Sequence, residues 1–318
     1  MRPAEPKPRI GISSCLLGQK VRYDGGHKLD TFLKYTLGKY VDYVPVCPEV
    51  ECGFGTPREA FRLVGDPANP RLITSRGKID HTDRMAEWAR KRVAQLESER
   101  LCGFIFKANS PSSGMERVRV YDSHGMPHKK GAGLFARAVM DHFPLLPVEE
   151  DGRLHDARLR ENFIESVFVF QRFRDTAEKK TRGRLVQFHT RHKLLLLAHC
   201  PKQYAALGKL VAAAKDRTPS ELYQEYQLLL AEALRVRATP GRHINVLQHV
   251  AGYFRTQLTT NEKKELEEIA RAYRCGHLPL IVPVTLVNHY ARKYDQSYLR
   301  EQWYLNPHPL ELALRNHA

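Results

Sequence analysis

The stretch Leu101–Tyr121, LCGFIFKANSPSSGMERVRVY, constrains the fold more than any other. Leu101, Ile105 and Phe106 supply apolar, β-favouring content, and Ser110-Pro111-Ser112-Ser113-Gly114 breaks regular structure immediately afterwards. This reads as a buried strand that ends in a tight polar loop. Two upstream junctions have the same form, and each carries a cysteine: Ile10-Gly11-Ile12-Ser13-Ser14-Cys15 and Tyr43-Val44-Pro45-Val46-Cys47-Pro48-Glu49. In open α/β sheets ligands sit just beyond the carboxyl ends of strands, so these three loops are the candidate site.

Between the strands, Thr31 to Leu37 has helical spacing, and His81-Thr82-Asp83 can cap a helix running to about Arg100 with Met85, Trp88, Ala89, Val93 and Leu96 on one face. Cys47 to Glu59 holds two prolines and two glycines and is expected to be a shaped loop. Arg62–Val64 and Arg71–Thr74 form a hairpin, Arg117–Tyr121 a strand, and Gly133–His142 a helix. Alternating strands and helices imply an α/β Rossmann-like N-terminal domain. Glu149 to Gly152 reads as a polar link, and the domains are expected at 1–157 and 158–318. Helical patterns follow at 158–173, 183–199, 201–214, 219–234, 242–257, 261–276 and 280–294, so the second domain is all-α.

With 51 Lys+Arg against 35 Asp+Glu, the net charge of +16 favours a polyanionic partner, foremost nucleic acid. No apolar run reaches the roughly 20 residues needed to span a bilayer, and the first nine residues lack the apolar core of a signal peptide. A cytoplasmic chain is expected. Six cysteines in such a chain argue against a disulfide framework, and the absence of a CxxC pair disfavours a zinc ribbon. Cysteine loops at one sheet edge leave three readings open: buried thiols, a metal site such as an iron–sulfur cluster, or a catalytic thiolate. The helical half has many histidines but no HExxH and no close Cys/His quartet, so no metal is read there.

Several separate motifs then carry a resemblance. Ile12-Ser13-Ser14-Cys15-Leu16-Leu17-Gly18 with Arg22-Tyr23-Asp24-Gly25, Val46-Cys47-Pro48-Glu49 with Gly53 to Pro57, and Gly103-Phe104-Ile105 with Lys107 and Ser110-Pro111-Ser112 resemble the thiouracil desulfurase family over about residues 9–148. Phe188 to Lys193 and Asn245 to Phe254 are similar to the helical YbgA-type domain. The resemblance implies a bacterial enzyme that converts 4-thiouridine in transfer RNA to uridine without net redox change, using a [4Fe-4S] cluster held by three cysteines with one iron open. Carried over, Cys15 and Cys47 are cluster ligands, and the third falls at 113, where this chain has Ser113. A neutral hydroxyl is a poor substitute for a soft thiolate. Three explanations stand open: an altered, inactive form with serine for cysteine, a natural variant of the site, or replacement by Cys52 or Cys102. Cys52 is the better placed, because Cys102 begins its strand about 8 residues, at roughly 3.3 Å each, from the site.

Exchange of C=S for C=O requires water delivery and proton management, so a carboxylate beside the cluster is the expected acid/base. Glu49 is the choice for that role, the alternative being a solvated loop carboxylate or a partner for Arg58. The resemblance points to Ser110 as catalytic, with Ser112 as a second hydroxyl for the base or the attacking water, and turn capping is the alternative for both. Arg22, Asp24, His27 and Lys107 are candidates for base or phosphate contacts. His189, Arg191, His192 and Lys193 are the helical domain's candidates for the RNA backbone. The alternatives are a desulfidase of free thiouracil or thionucleosides, and a non-catalytic RNA-binding protein.

Overall fold

The computed structural model describes residues 6–317, in two compact units, one ending at His155 and the other starting at Asp156. The first unit is α/β. Its first sheet has the order β2-β1-β5-β8, with β1 at Arg9–Ser13, β2 at Asp42–Val46, β5 at Gly103–Phe106 and β8 at Val148–Glu150, all parallel. Buried strands read as near-continuous apolar runs, and Gly103–Phe106 is buried at every position. Gly11 is required here, because a Cβ at that position would run into the Phe104 ring.

Two helices cover a face of this sheet. Ala89, Val93 and Leu96 of α2 (Thr82–Leu96) and Phe135, Ala136 and Val139 of α3 (Leu134–His142) pack on Val44, Val46, Phe104 and Phe106. The start of α2 is fixed by Asp80, whose carboxylate accepts from the Thr82 amide at 2.8 Å.

The structure corrects the expected layout in three places. There is a second sheet, of order β4-β3-β6-β7, in which β3 (Phe61–Val64) pairs antiparallel with β4 (Arg71–Thr74) and parallel with β6 (Val118–Tyr121), while β7 (Pro127–Gly131) closes the edge. Leu63, Leu72, Val118 and Val120 form its inner face against Met85. The polar link at 149–152 is in part a strand, since Val148 to Glu150 pairs with β5. Within the loop at 47–59, Pro48–Glu51 makes one helical turn, α1, that Pro48 opens at a position where no amide proton is needed.

The second unit is helical: α4 Ala157–Ala177, α5 Arg182–His199, α6 Pro201–Ala212, α7 Pro219–Arg235, α8 Pro240–Tyr253, α9 Thr260–Arg274, α10 Ile281–Lys293 and the short α11 Ser297–Glu301. Threonines start four of these helices. Thr218 with Glu221 and Thr259 with Glu262 form reciprocal capping boxes, and Thr181 and Thr239 each accept one amide. Inside the unit lies a buried ionic group. Arg315, 3% exposed, donates to Glu161 and Glu165, each at 2.9 Å; His199 meets the other Glu165 oxygen at 2.6 Å, and His317 the other Glu161 oxygen at 2.9 Å. Glu161, Glu165 and His308 bring ligand atoms within 4.8 Å of one another, but all four carboxylate oxygens are already taken by these cationic or hydrogen-bonding partners.

Burial by itself would raise the Glu165 carboxyl, but the His199 hydrogen bond and the Arg315 charge hold it well below the usual carboxylate range. Burial likewise opposes the His199 charge, and Glu165 outweighs it and raises the imidazole. A depressed acid stabilises the fold above its unfolded value near ~4.3 and stops doing so as pH falls through the folded value; a raised imidazole stabilises below its unfolded value near ~6.5 and stops as pH rises through the folded one. Amide hydrogen exchange in α4 and α5 is therefore expected to be slowest, after correction for intrinsic rates, between those limits. Arg315→Met, which removes the cation shared by half-buried Glu161 and buried Glu165, is expected to lower the opening free energy of these helices by about 3–5 kcal/mol. A loss under about 1 kcal/mol would show that the group contributes little.

Candidate active site

Parallel pairing sets the site. Ser13 is in register with Val46, and Ile12 with Ile105, so β1, β2 and β5 end at one edge. Two residues past β1 stands Cys15, one residue past β2 stands Cys47, and the loop after β5 carries Ser110 and Ser113. All four line one cavity of about 410 Å³, together with Glu49, Arg58, Lys107, Arg22 and Lys28.

Each loop is fixed by hydrogen bonds independent of any ligand. The Glu51 carboxylate accepts the Cys47 amide at 2.9 Å and is itself held by Arg92 at 2.9 Å. The Cys15 carbonyl accepts the amides of Gly18 and Lys28, which ties the 20s segment to the cavity rim. Amides in the first turn of α3 hold the serine loop: Phe135 and Ala136 donate to the Ser112 carbonyl at 2.9 and 3.1 Å, and Gly133 donates to Gly114 at 2.8 Å. Gly133 lies so close to the Ser112 and Ser113 backbone that an added Cβ would collide with it.

A hydrogen-bonded line runs from a carboxylate to the cavity wall. The Ser112 hydroxyl, fully buried, donates to Glu49 Oε1 at 2.5 Å, and Ser110 Oγ lies 3.1 Å from Ser112 Oγ. Ser112 has one proton and spends it on Glu49, so Ser110 donates to Ser112. In the same position Ser110 Oγ accepts the amides of Ser112 and Ser113 at 3.3 and 3.1 Å, an arrangement that favours negative charge on that oxygen. Glu49 Oε2 faces Cys47 Sγ at 3.6 Å and Arg58 at 3.8 Å. The carboxylate thus joins the serine line to the thiols.

Both cavity thiols sit in a poor environment for a bare thiolate. Burial pushes Cys15 up to about 11, with Lys107 opposing and Glu49 and Asp151 adding to the rise; burial and Glu49 push Cys47 up to about 12. At neutral pH they are thiols, so neither is an activated nucleophile of the low-pKa kind. A thiophilic cation would reverse this by taking the proton's place. The donor set fits an iron–sulfur cluster at two positions. At the third, Ser113 is 3% exposed and lines the cavity, with a hydroxyl that makes no hydrogen bond among the described residues.

Cys52 and Cys102 do not move in. The Cys52 thiol donates to the Arg84 carbonyl at 3.6 Å and packs with Leu63, Leu72 and Met85, because α1 turns it away from the cavity. Cys102 precedes β5, at the end of the strand opposite the serine loop, and contacts the Arg100 carbonyl at 3.7 Å. No disulfide is present among the described residues.

The structure separates the remaining candidates. Arg22 and Lys107 reach the cavity wall, Lys107 while paired with Asp151 at 2.9 Å. Asp24 and His27 do not; Asp24 accepts the Gly26 amide and His27 accepts the Leu29 amide, so they shape the turn. In the helical unit His189 and His192 are 2% and 1% exposed, which removes them from any surface that phosphates can reach. His189 bonds Tyr226 at 3.1 Å, and burial, aided by Lys193, lowers its imidazole to about 4; His192 bonds the Phe188 carbonyl at 2.7 Å. Arg191 is paired with Glu301, and Lys193 is half-buried. Lys28 and Arg58 also line the wall; nothing in the sequence marks Lys28, whereas Arg58 stands directly after the Gly53–Pro57 turn.

Comparisons with known proteins agree with the two-part division. The family model described as 2-thiouracil desulfurase matches residues 10–151, and that described as a protein of unknown function, DUF1722, matches residues 193–309. The uncharacterised protein YbgA of Escherichia coli (strain K12) is 35% identical over 137 residues, covering 43% of this chain and 81% of that protein. The uncharacterised protein YbbK of Bacillus subtilis (strain 168) is 34% identical over 114 residues, covering 33% of this chain and 72% of that protein. Among solved structures, a [4Fe-4S]-dependent thiouracil desulfidase, TudS, is 28% identical, with 47% of this chain and 95% of that chain covered and a TM-score of 0.39.

Since the α3 amides set the serine loop, Gly133→Ala is expected to displace it and to destabilise the first unit by about 1–3 kcal/mol. Urea unfolding followed by Trp88 fluorescence measures this; an unchanged midpoint would mean that the loop relaxes without strain.

Proposed function

We propose, from the premise that the chain belongs to the 2-thiouracil desulfurase family in its first domain and to the DUF1722 family in its second, that it removes sulfur from a thiocarbonyl pyrimidine, and that the physiological substrate is 4-thiouridine in transfer RNA. One observation carries the reading: the line Glu49–Ser112–Ser110 ends at the wall of the cavity that also presents Cys15 and Cys47.

The reaction exchanges C=S for C=O by adding one water and releasing one hydrogen sulfide, with no net redox change. Ser110 is placed to hold the attacking water, and its hydroxyl passes a proton through Ser112 to Glu49. The two amides on Ser110 oppose the cost of charge during that transfer. Glu49 then holds the proton needed by the ring nitrogen or the departing sulfide, and Arg58 keeps the carboxylate oriented. What a [4Fe-4S] cluster supplies when bound is a thiophilic Lewis acid at an open iron. Cys15 and Cys47 would hold it as thiolates, and Ser113 would have to act as an alkoxide. The chain as it stands is expected to retain the cluster weakly.

Transfer RNA is favoured over free thiouracil by the net charge of +16 and by Arg22 and Lys28 at the cavity wall, where an extruded nucleotide brings its phosphates. A cytoplasmic setting accords with a transfer-RNA substrate; no helix among the described residues is long and apolar enough to cross a membrane.

Anaerobic reconstitution of the chain and of Ser113→Cys tests this. Ser113→Cys is expected to retain a full complement of iron, show the broad iron–sulfide absorbance and deplete 4-thiouridine from bulk transfer RNA, while the parent does so weakly or not at all. Adding Glu49→Gln in the Ser113→Cys background is expected to leave iron content unchanged and to lower turnover by about 10²–10⁴-fold. If iron-loaded Ser113→Cys spares the thiolated nucleoside in transfer RNA but consumes free thiouracil, the RNA substrate is wrong; if it spares both, so is the activity.

A further inference from the structure

The second sheet has an outer face that the catalytic reading does not use. Strand residues alternate in direction, so Arg62, Arg119 and Lys129 point away from the inner residues Leu63 and Val120. Their register is explicit. Leu63 pairs with Val120, which sets Arg62 beside Arg119 on the parallel strands, and Arg119 pairs directly with Lys129. Three cations therefore stand in one cross-strand row at spacings of about 4.8 Å.

A row of like charges directly opposed across strands opposes folding. No carboxylate pairs with Arg62, Arg119 or Lys129 among the described residues, whereas neighbouring Arg71 is paired with Asp80. Arg119 and Lys129 are exposed. The Arg62 guanidinium stacks 5.5 Å above the Tyr121 ring, and its Nε is buried without a partner. Strand β3, which carries Arg62, starts at the cavity, whose wall includes Arg58, Ala60 and Phe61.

We infer that this sheet face is a docking surface for the phosphate backbone of RNA, holding the strand that flanks the nucleotide delivered to the cavity. The inference rests on the RNA reading given above and assigns contacts to the α/β unit itself. Charge complementarity selects the occupant: a row of three cations about 10 Å long, with no carboxylate partner among the described residues, favours a polyanionic strand. Tyr121 holds the Arg62 plane in place by cation–π contact.

The test titrates the full chain and Arg119→Gln/Lys129→Gln with bulk transfer RNA between about 50 and 200 mM salt. The double variant is expected to bind about tenfold more weakly at the low-salt end, with a log–log salt slope smaller by about 1–2, and to bind free 4-thiouracil like the parent. Its melting temperature at low salt is expected to stay level or rise, which rules out unfolding as the cause. Arg119→Lys/Lys129→Arg is expected to keep the parent's RNA affinity. RNA affinity and slope within twofold of a parent that does bind overturn the docking surface and leave the substrate reading standing. A parent that does not bind transfer RNA at all sinks that substrate reading instead, and with it this one. If the double variant keeps RNA binding but loses binding to phosphatidylserine vesicles, the face belongs to a membrane and the inference is wrong.

Discussion

The parallel pairing of β2, β1 and β5 is the constraint from which the site follows. Antiparallel neighbours would send alternate loops to opposite edges. Here two consecutive parallel pairings send Cys15, Cys47 and the 110–114 loop to the same edge, although together they span nearly a hundred residues of sequence. The cost of a parallel sheet is that both faces must be covered, and α2 and α3 supply one cover with the apolar stripe Ala89, Val93, Leu96, Phe135, Ala136 and Val139. The same α3 that covers the sheet also grips the Ser112 carbonyl with its first amides. Core packing and site geometry are therefore one structure, and a slip of α3 would open both.

Burial decides the electrostatics of that edge. Cys15, Cys47, Ser112 and Ser113 are each 8% exposed or less, so charge there is expensive unless something answers it. Glu49 is answered by Ser112 and Arg58, and Lys107 by Asp151. Neither thiol has a cation bonded to it, Cys47 instead facing the Glu49 carboxylate, and burial keeps both protonated. A buried edge with two protonated thiols and one hydroxyl relay is suited to a thiophilic ion and a neutral thiocarbonyl, and poorly suited to a nucleophilic cysteine.

How much of this was legible depended on whether a residue's role shows in its own type. The buried strands were legible because Ile10, Ile12, Phe104 and Phe106 have to be apolar, and the loops because serine, proline and glycine break regular structure. Strand β7 was not, since Pro127-His128-Lys129-Lys130 is exposed and presents no hydrophobic alternation; only its partner β6 makes it a strand. Strand β8 hid in an acidic run for a similar reason, Glu149 being buried only through its bond to Arg153 at 2.6 Å. In the helical unit the sequence pointed the wrong way. His189 and His192 sit in a basic run and resemble phosphate ligands, but tertiary packing buries them, His189 bonded to Tyr226 and His192 stacked on Phe188.

Position 113 separates fold from chemistry. Every hydrogen bond that shapes its loop uses backbone groups or the hydroxyls of Ser110 and Ser112: the Ser113 amide to Ser110, the Ser112 carbonyl to α3, and Gly114 to both Ser110 and Gly133. The Ser113 side chain takes part in none of them. Serine and cysteine differ by one atom of similar shape, so the loop keeps its form with either, and only the donor offered to the cavity changes, from a soft polarisable sulfur to a hard neutral oxygen. A serine at this place is thus compatible with a fully formed fold, a complete Glu49–Ser112–Ser110 line and an intact cationic face on the second sheet, while one of the three donors offered to the cavity changes from soft to hard. Folding and metal retention can vary independently here because the Ser113 side chain is not among the groups that set the loop.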